Sequence, residues 1–306
     1  MSGGNLKVKA WIGAFRLRTL PLSLSCILMG TFLAAARGLF RFDICLLALL
    51  TTVLLQVLSN LANDYGDSIH GADSDQREGP SRAVQSGTIS KQQMKKAMIL
   101  FSILSLLAGL SLLYVSFKER LDYLLIFLGL GLMAIFAAIN YTAGEKPYGY
   151  RGFGDIAVLI FFGFVGVSGT YFLYSLTLDT SVLLPAASCG LFATGVLNLN
   201  NIRDIESDEL AGKYSIPVRL GRDRAAVYHL LLLSVGFVLS VIFTIISFAH
   251  FYQLLFLITL PLFVRNIWAV FTKTSPKELD PYLKQLAIST LLFVLTFGTG
   301  LLLANA

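Results

Sequence analysis

The chain has 306 residues, of which 56% are hydrophobic and 14% charged, and its mean hydropathy is +0.73. Because a typical soluble domain carries about 25% charged residues, this composition excludes an ordinary soluble enzyme and indicates a membrane protein. The net charge of +6 comes without a basic run interleaved with aromatic residues, so no nucleic-acid partner is expected. Cys26, Cys45 and Cys189 lie in apolar runs without metal-ligand spacing, which argues against a disulfide framework or a zinc site.

Nine apolar stretches are long enough to cross a bilayer core, which needs roughly 20 helical residues. Helix is the expected conformation because backbone polar groups in lipid must be satisfied within the segment. The predicted spans are approximately residues 19–36, 43–63, 97–116, 122–142, 155–175, 182–202, 226–248, 251–271 and 286–304. The sequence therefore predicts an all-α, polytopic membrane protein, with residues 1–306 forming a single transmembrane domain of about nine helices.

The charged residues are divided unequally between the two faces of this predicted bundle. With the N-terminus inside, 20 of the 24 Lys and Arg residues fall in cytoplasmic segments, as the positive-inside rule requires. Fourteen of the 18 acidic residues lie on the same side. We therefore expect residues 1–18 in the cytoplasm, the C-terminus outside, and chemistry at the cytoplasmic face. There, the long polar loops 64–96 and 203–225 are expected to be ordered caps over a shared site.

The second and sixth predicted spans end in similar sequences. In each, an Asn is followed four residues later by an Asp, and another Asp follows after three or four more. Helical spacing places each trio on one face of its helix, so two facing ends could present four carboxylates and two amides to one cavity. Carboxylates so close would repel each other unless cations lie between them, and oxygen-only ligands favour Mg²⁺ held together with substrate phosphates. The trios are Asn60, Asp64, Asp67 and Asn200, Asp204, Asp208.

A solvated helix end is the ordinary explanation for one acidic trio. Two matched trios, each with an Asn at membrane depth, favour a functional site because polar groups inside a span are costly. Basic residues next to Gly or Pro accompany the acids, and Arg or Lys beside Mg²⁺ and carboxylates is typical of diphosphate binding. These candidates are Arg77, Arg82, Lys146, Lys213 and Arg219, whereas Lys91, Lys95, Lys96, Lys273 and Lys277 are better explained as positive-inside anchors.

A diphosphate held by Mg²⁺ inside a membrane indicates a lipid diphosphate as substrate. The metal would neutralise the leaving diphosphate, so that an allylic carbon–oxygen bond can ionise. Apolar helices around the cavity would shield the resulting cation from water and hold a long tail. An electron-rich acceptor would then attack the allylic carbon.

Five segments of the chain resemble known motifs. Residues 60–67 and 200–208 resemble the two Asp-rich motifs of the UbiA superfamily of intramembrane prenyltransferases. Residues 73–80, 148–155 and 211–221 resemble, within that superfamily, the branch that prenylates 1,4-dihydroxy-2-naphthoate in menaquinone biosynthesis. The first motif spaces its two acids by three residues where many members use four, which matches the naphthoate branch. The resemblance covers nearly the whole chain.

The resemblance implies a nine-helix bundle with a cytoplasmic cap in a bacterial plasma (inner) membrane, surrounded by lipid and with no obligate protein partner. It implies Mg²⁺-dependent transfer of a polyprenyl group from its diphosphate to 1,4-dihydroxy-2-naphthoate, releasing CO₂ and diphosphate and giving demethylmenaquinone. Asp64, Asp67, Asp204 and Asp208 would hold Mg²⁺ with support from Asn60 and Asn200, and Lys146 would join the four aspartates in catalysis. Diphosphate would be held by Arg77, Lys146, Lys213 and Arg219, and the acceptor would lie near residues 141–155. The expected substrate contacts are Asn60, Asn63, Asp73, Arg77, Arg82, Tyr141, Tyr148, Tyr150, Arg151, Asp155, Asn200, Asn201, Lys213 and Arg219.

Other readings of the same residues stay open. A related prenyltransferase could act on 4-hydroxybenzoate, homogentisate or haem instead. A cation-coupled transporter would use its acids near the bilayer midplane and break its central helices, whereas these acids lie at span ends. A soluble-type isoprenyl synthase also uses Asp-rich helices, but nine predicted spans argue against it.

Overall fold

The computed structural model describes residues 3–70 and 82–305, and no β-strand occurs among them. Within these residues nine helical stretches are long and apolar enough to cross a membrane. The prediction of an all-α integral membrane protein is therefore confirmed. In chain order, the first to ninth spans are Leu6–Ala35, Phe42–His70, Lys91–Phe117, Leu121–Asn140, Gly154–Ser175, Thr180–Arg203, Arg222–Ile246, Phe251–Thr272 and Pro276–Ala304.

Several helices continue past the apolar stretches that predict them. The second span stays helical through both acids of its motif to His70, and the third begins at Lys91, where Ser90 and Gln93 form a capping box. The ninth begins at Pro276 rather than near residue 286. Hydropathy marks where a helix enters lipid, whereas the helix itself continues as long as its backbone bonds and caps permit. The predicted loop 64–96 is therefore helical at both of its ends.

A small cap covers the end of the bundle that carries the acidic motifs, called here the acidic end. It consists of the short helices Tyr148–Arg151, Ile205–Leu210 and Ile216–Leu220. The backbone amide of Tyr214 donates to the carbonyl of Tyr150 at 2.8 Å, which joins two of its segments. The predicted loop 203–225 is thus largely helical, because its Gly and Pro residues punctuate short helices rather than an extended loop.

The first span is interrupted just before it enters the bundle. The helix Gly3–Phe15 ends at Arg16, whose backbone is left-handed with φ of 47°, and the main helix begins at Leu20. The side-chain amide of Asn60 holds this break by donating to the Phe15 carbonyl at 2.9 Å and to the Thr19 hydroxyl at 3.2 Å. The break carries the basic side chains of Arg16 and Arg18 to the acidic end.

The sixth to ninth spans pack around a cluster of buried phenylalanine rings. Phe192 lies 4.8 Å from Phe263 and 5.0 Å from Phe293 between ring centroids, and Phe237 lies 4.7 Å from Phe263. Phe256 adds a further ring 5.4 Å from Phe293. Since lipid is as apolar as these side chains, close packing and the geometry of tilted and edge-to-face rings stabilise this half of the bundle.

The fifth span has an unexpected conformation. Its middle section, Leu159–Gly169, is a π-helix between two short α-helical segments. Gly163 approaches Gly190 of the sixth span so closely that a Cβ on Gly163 would lie 2.7 Å from the Ala186 carbonyl oxygen. Wide π-helical turns commonly mark functional sites, and this one lines the cavities described below.

Candidate active site

The acidic ends of the second and sixth spans meet at one polar cavity of about 180 Å³. Asn60, Asn63 and Asp67 reach it from the second span, and Asn200 reaches it from the sixth. Lys213, in the cap, lies on the same wall. The structure therefore brings together residues that are 140 positions apart in sequence but occupy matching places in the two motifs.

Asp67 ties the second span to two neighbouring segments. Its buried carboxylate lies 2.5 Å from the guanidinium of Arg82 and accepts a hydrogen bond from the Tyr150 hydroxyl at 2.9 Å. Arg82 also donates to the Asn63 carbonyl at 2.9 Å. Burial, together with the Asp67 charge, raises the pKa of Tyr150 above its ordinary range, so the hydroxyl stays protonated as a donor.

Asp64 supports the local backbone instead of lining the cavity. Its two carboxylate oxygens accept hydrogen bonds from the backbone amides of Ala83 and Val84 at 3.2 and 3.3 Å. Bonds from backbone amides stabilise an ionised carboxylate. The residue expected to hold metal thus anchors the segment that carries Arg82 to the cavity wall.

Arg203, the last residue of the sixth span, donates several hydrogen bonds to neighbouring side chains. The sequence motifs do not predict a role for it. Its guanidinium donates from Nε and Nη2 to the two oxygens of Asp204 at 2.8 and 2.7 Å. Nη2 also donates to the side-chain oxygen of Asn200 at 3.0 Å, and Nη1 to Asp280 at 2.5 Å. The sequence signal for Arg203 is its position immediately before the motif residue Asp204. Asp280 lies far from both motifs in sequence, so no sequence feature indicates its contact with Arg203.

Asp208 pairs with Lys213 across a turn of the cap. The lysine nitrogen lies 2.9 Å from a carboxylate oxygen, and the Lys213 backbone amide donates to the Asp208 carbonyl at 2.8 Å. Burial would lower the pKa of Lys213, but the charges of Asp208 and Asp67 outweigh burial and raise it. Burial also raises the pKa of Asp208, and repulsion from Asp204 and Asp67 adds to this effect. This repulsion is the kind that a bound cation relieves.

The donor chemistry of the site fits a divalent cation that substrate phosphates help to hold. The motif acids and amides offer oxygen ligands only, and the side-chain oxygen of Asn201 is buried without a hydrogen-bond partner among the described residues. Three of the acids contact protein cations, as Asp67 does with Arg82. Within residues 3–70 and 82–305, no three His, Cys, Asp or Glu side chains form a preassembled metal cage. Mg²⁺ is usually held by a few carboxylates plus phosphates rather than by such a cage.

Only some of the basic residues expected to bind diphosphate line the polar cavity. Arg82 and Lys213 line the cavity, but Lys146 is exposed and is absent from the cavity wall. Arg219 is engaged elsewhere, since its guanidinium donates to the backbone carbonyls of Tyr214 and Arg151 at 3.1 and 2.8 Å. It thereby fastens the cap. Asp73 and Arg77 lie outside the described residues.

Three further cations line the polar cavity, namely Arg16, Arg18 and Lys284. Sequence reasoning counted them only as positive-inside charges. The signal that could have distinguished the two arginines is their position directly before the apolar helix Leu20–Ala35, although nothing local shows that the chain turns there. Lys284 belongs to the ninth span and reaches the cavity only through helix packing.

An apolar cavity of about 340 Å³ adjoins the polar one. The two share wall residues, including Asn63, Tyr141 and Phe162. The apolar cavity is lined by small residues of the fourth span, such as Ala138, and by the π-helical section, and it shares Leu55 with a further apolar cavity of about 150 Å³. One ligand molecule with an anionic head and a long apolar tail could therefore bind across this boundary, with its head in the polar cavity and its tail in the apolar one.

Of the expected acceptor contacts, Tyr141 lines both cavities and Tyr148 lines the apolar one. Burial raises the pKa of Tyr141 to about 12, so its hydroxyl is neutral at the mouth between the cavities. The Tyr148 hydroxyl donates to the Ala137 carbonyl at 2.9 Å. Asp155 accepts from the Tyr228 hydroxyl at 3.0 Å and is absent from both cavity walls, and Arg151 is exposed.

Comparisons with known proteins agree with this architecture. Residues 23–291 match the UbiA prenyltransferase family, so the chain belongs to that family of intramembrane enzymes. It is 45% identical over 302 residues to the 1,4-dihydroxy-2-naphthoate octaprenyltransferase of Haemophilus influenzae, covering 98% of this chain and 97% of that protein. It is 44% identical over 299 residues to the enzyme of the same name from Escherichia coli, with the same coverage.

A solved structure shows the same fold. A UbiA homolog from Archaeoglobus fulgidus bound to GPP and Mg²⁺ superposes with a TM-score of 0.60 at 17% identity, covering 94% of this chain and 99% of that one. The family match and the identities to the two octaprenyltransferases confirm the family resemblance inferred from the motifs.

Proposed function

We propose that this prenyltransferase joins a polyprenyl group from polyprenyl diphosphate to 1,4-dihydroxy-2-naphthoate, releasing CO₂ and diphosphate to give demethylmenaquinone. The observation that carries the proposal is the boundary between a cation-rich polar cavity, where both acidic span ends meet, and an apolar cavity. The names of the relatives at 44–45% identity support the choice of acceptor.

The motif residues would hold the divalent cation at the acidic end. Asp208 and Asp67 are the acids whose charges raise the pKa of Lys213, and Asp204, Asp64, Asn60 and Asn200 complete the expected set. When bound, Mg²⁺ would neutralise charge on the leaving diphosphate. The homologous structure with GPP and Mg²⁺ supports this assignment.

The protein's own side chains would perform three tasks. Arg82, Lys213 and the cations newly found on the polar wall would bind the diphosphate oxygens by charge-assisted hydrogen bonds. The apolar wall would exclude water from the allylic carbon once its bond to the diphosphate oxygen breaks. Tyr141, which lines both cavities, would orient the acceptor ring so that a ring carbon forms the new bond to that allylic carbon.

The acidic end would face the cytoplasm of a bacterial plasma membrane, with the C-terminus outside. The excess of Lys and Arg on this side supports that orientation. A cytoplasmic site would have direct access to a charged, water-soluble acceptor, while the donor tail stays in the membrane. Labelling of a single cysteine introduced at Lys146 or at Lys118 with a membrane-impermeant reagent tests this, because only the latter should react from outside.

The function is tested by incubating purified protein with labelled polyprenyl diphosphate, Mg²⁺ and one aromatic acceptor at a time. We expect a prenylated, decarboxylated naphthoquinol from 1,4-dihydroxy-2-naphthoate, and no product in EDTA. Asp122→Asn, which changes an exposed acid at the opposite end of the bundle, is the control and should be fully active. Preferred turnover of 4-hydroxybenzoate or homogentisate would overturn the acceptor assignment, and full activity in EDTA would overturn the metal.

A further inference from the structure

Asp280, near the start of the ninth span, connects two arginines that serve different parts of the site. Its Oδ1 accepts a hydrogen bond from Arg203 at 2.5 Å, and its Oδ2 accepts one from Arg18 at 3.3 Å. Arg18 lines the polar cavity, whereas Arg203 binds Asp204. One carboxylate therefore joins the approach to the first span, the end of the sixth span and the start of the ninth.

Arg203 is shared between two acids that compete for it. Its side chain is only 1% exposed, and among the described residues its carboxylate partners are Asp204 and Asp280. The bond to Asp204 is bidentate and uses both oxygens of that acid. A divalent cation at Asp204 must use the same two oxygens, so the bidentate hydrogen bond from Arg203 competes with metal binding.

We propose that Asp280 is a positioning residue that draws Arg203 toward the ninth span and so keeps Asp204 available to a divalent cation. This rests on the proposed function of the acidic motifs. Without the Asp280 charge, Asp204 would be the remaining carboxylate for a buried guanidinium, and the two would bind each other more tightly. Asp280 holds Arg203 through Nη1, the nitrogen that Asp204 does not use, so it can retain the arginine while Nε and Nη2 are displaced.

The matched control lies two residues earlier on the same helix. Glu278 carries the same charge and pairs with Lys273 at 3.1 Å, but among residues 3–70 and 82–305 it forms no ion pair or hydrogen bond with Arg203 or Arg18. Glu278→Gln therefore removes one negative charge from the same end of the ninth span without touching the network. Any effect of overall charge on cation binding appears equally in both variants.

The experiment measures Mn²⁺ binding to purified protein, with inorganic diphosphate present, from the electron paramagnetic resonance signal of free Mn²⁺, relative to a protein-free titration at the same diphosphate concentration because diphosphate itself binds Mn²⁺. Asp280→Asn should weaken Mn²⁺ binding by about three- to ten-fold, the scale of coupling between neighbours in one charge network. Asp280→Glu should restore most of it, and Glu278→Gln should leave it unchanged. At saturating Mg²⁺ the kcat of Asp280→Asn should return close to the wild-type value, which loss of folded protein would not permit.

Arg203→Lys provides a test in the opposite direction. Lysine keeps the charge but lacks the fork that holds Asp204 through two nitrogens, so Mn²⁺ should bind more tightly than to the wild-type protein. Unchanged binding in Asp280→Asn, equal weakening in Glu278→Gln, or weaker binding in Arg203→Lys would each overturn the inference. Absence of Mn²⁺ binding to the wild-type protein would overturn the proposed metal site itself, a result that is distinguishable from the others.

Discussion

The two halves of the bundle are built differently. The sixth to ninth spans enclose buried aromatic rings at centroid distances near 5 Å, whereas the fourth span has no buried residue and the two apolar cavities lie between it and its neighbours. The packed half holds Arg203, Asp204 and Asp280 in a fixed network. The open half leaves space for a long chain. A prenyltransferase needs both a tightly packed half and an open half. The diphosphate head must be held in a defined position, whereas the apolar tail need only be kept from water.

The largest effect is expected where the halves meet. Asp67→Ala should lower prenyl transfer by at least about 100-fold, the scale expected when a charge-stabilising group at the reaction centre is lost. Asp204→Ala should do the same from the other span, and both proteins should still insert in the membrane. Turnover of labelled polyprenyl diphosphate measures the loss. Near-normal turnover in either variant would break the assignment of a shared site.

A buried ring of the packed half should matter for stability. Phe293→Ala removes a side chain that contacts Phe192, Phe256 and Phe263, and should cost about 3–5 kcal/mol of the free energy of unfolding. Unfolding in mixed detergent micelles measures this loss. A cost below about 1 kcal/mol would show that the aromatic cluster is loosely packed and that the contrast between the halves is wrong.

Two glycines allow the same substitution to be compared across the halves. At Gly236, in the packed half, an added Cβ would lie 2.5 Å from a carbon of the Phe192 ring, so Gly236→Ala should destabilise by about 1–3 kcal/mol. At Gly131, beside an apolar cavity, a Cβ would meet no atom within 4 Å, so Gly131→Ala should be neutral or slightly stabilising. Equal effects of the two variants on the unfolding free energy would contradict the comparison.

A small effect on the free energy of unfolding is expected at the end of the bundle remote from the two acidic motifs. Burial would raise the pKa of Asp179, but hydrogen bonds from Ser181 and Arg37 outweigh burial and lower it. A lowered pKa stabilises the fold above the ordinary aspartate pKa, and this stabilisation is lost as the pH falls through the folded-state value. Asp179→Asn should therefore cost at most about 1 kcal/mol at neutral pH and flatten the acid dependence of unfolding. Any loss of prenyl transfer would show that the two ends are coupled.

The sequence predicts the nine helical spans well because hydropathy acts over whole segments. Motif reasoning predicts Asp67 and Asn200 from sequences that repeat at matching span ends, and Lys213 from its place next to Gly212, and all three line the polar cavity. It gives Arg16 and Lys284 no special role, because a cation that anchors a span and one that lines a cavity look alike in sequence. It misses the partnership of Arg203 with Asp280, which joins residues 77 positions apart. The π-helix also leaves no periodic signal, since nearly every residue of Leu159–Gly169 is apolar or small.

The expected role of Lys146 shows a further limit. Its place next to a proline in a conspicuous motif suggested a phosphate ligand, yet the side chain is exposed away from the cavity wall. The guanidinium of Arg219 likewise donates hydrogen bonds to backbone carbonyls of the cap. A motif indicates that a residue matters, but the direction in which its side chain points depends on contacts that form only in the folded chain.

The most direct test of a site shared by both spans is the Mn²⁺-dependent binding of ³²P-labelled inorganic diphosphate to the purified protein, measured by equilibrium dialysis. Wild-type protein should bind diphosphate more tightly with Mn²⁺ than without it, and Asp67→Asn in the second span or Asp208→Asn in the cap helix that follows the sixth span should each weaken this Mn²⁺-dependent binding strongly. If one of these variants abolishes it while the other leaves it at the wild-type level, the second and sixth spans do not hold one metal–diphosphate complex between them.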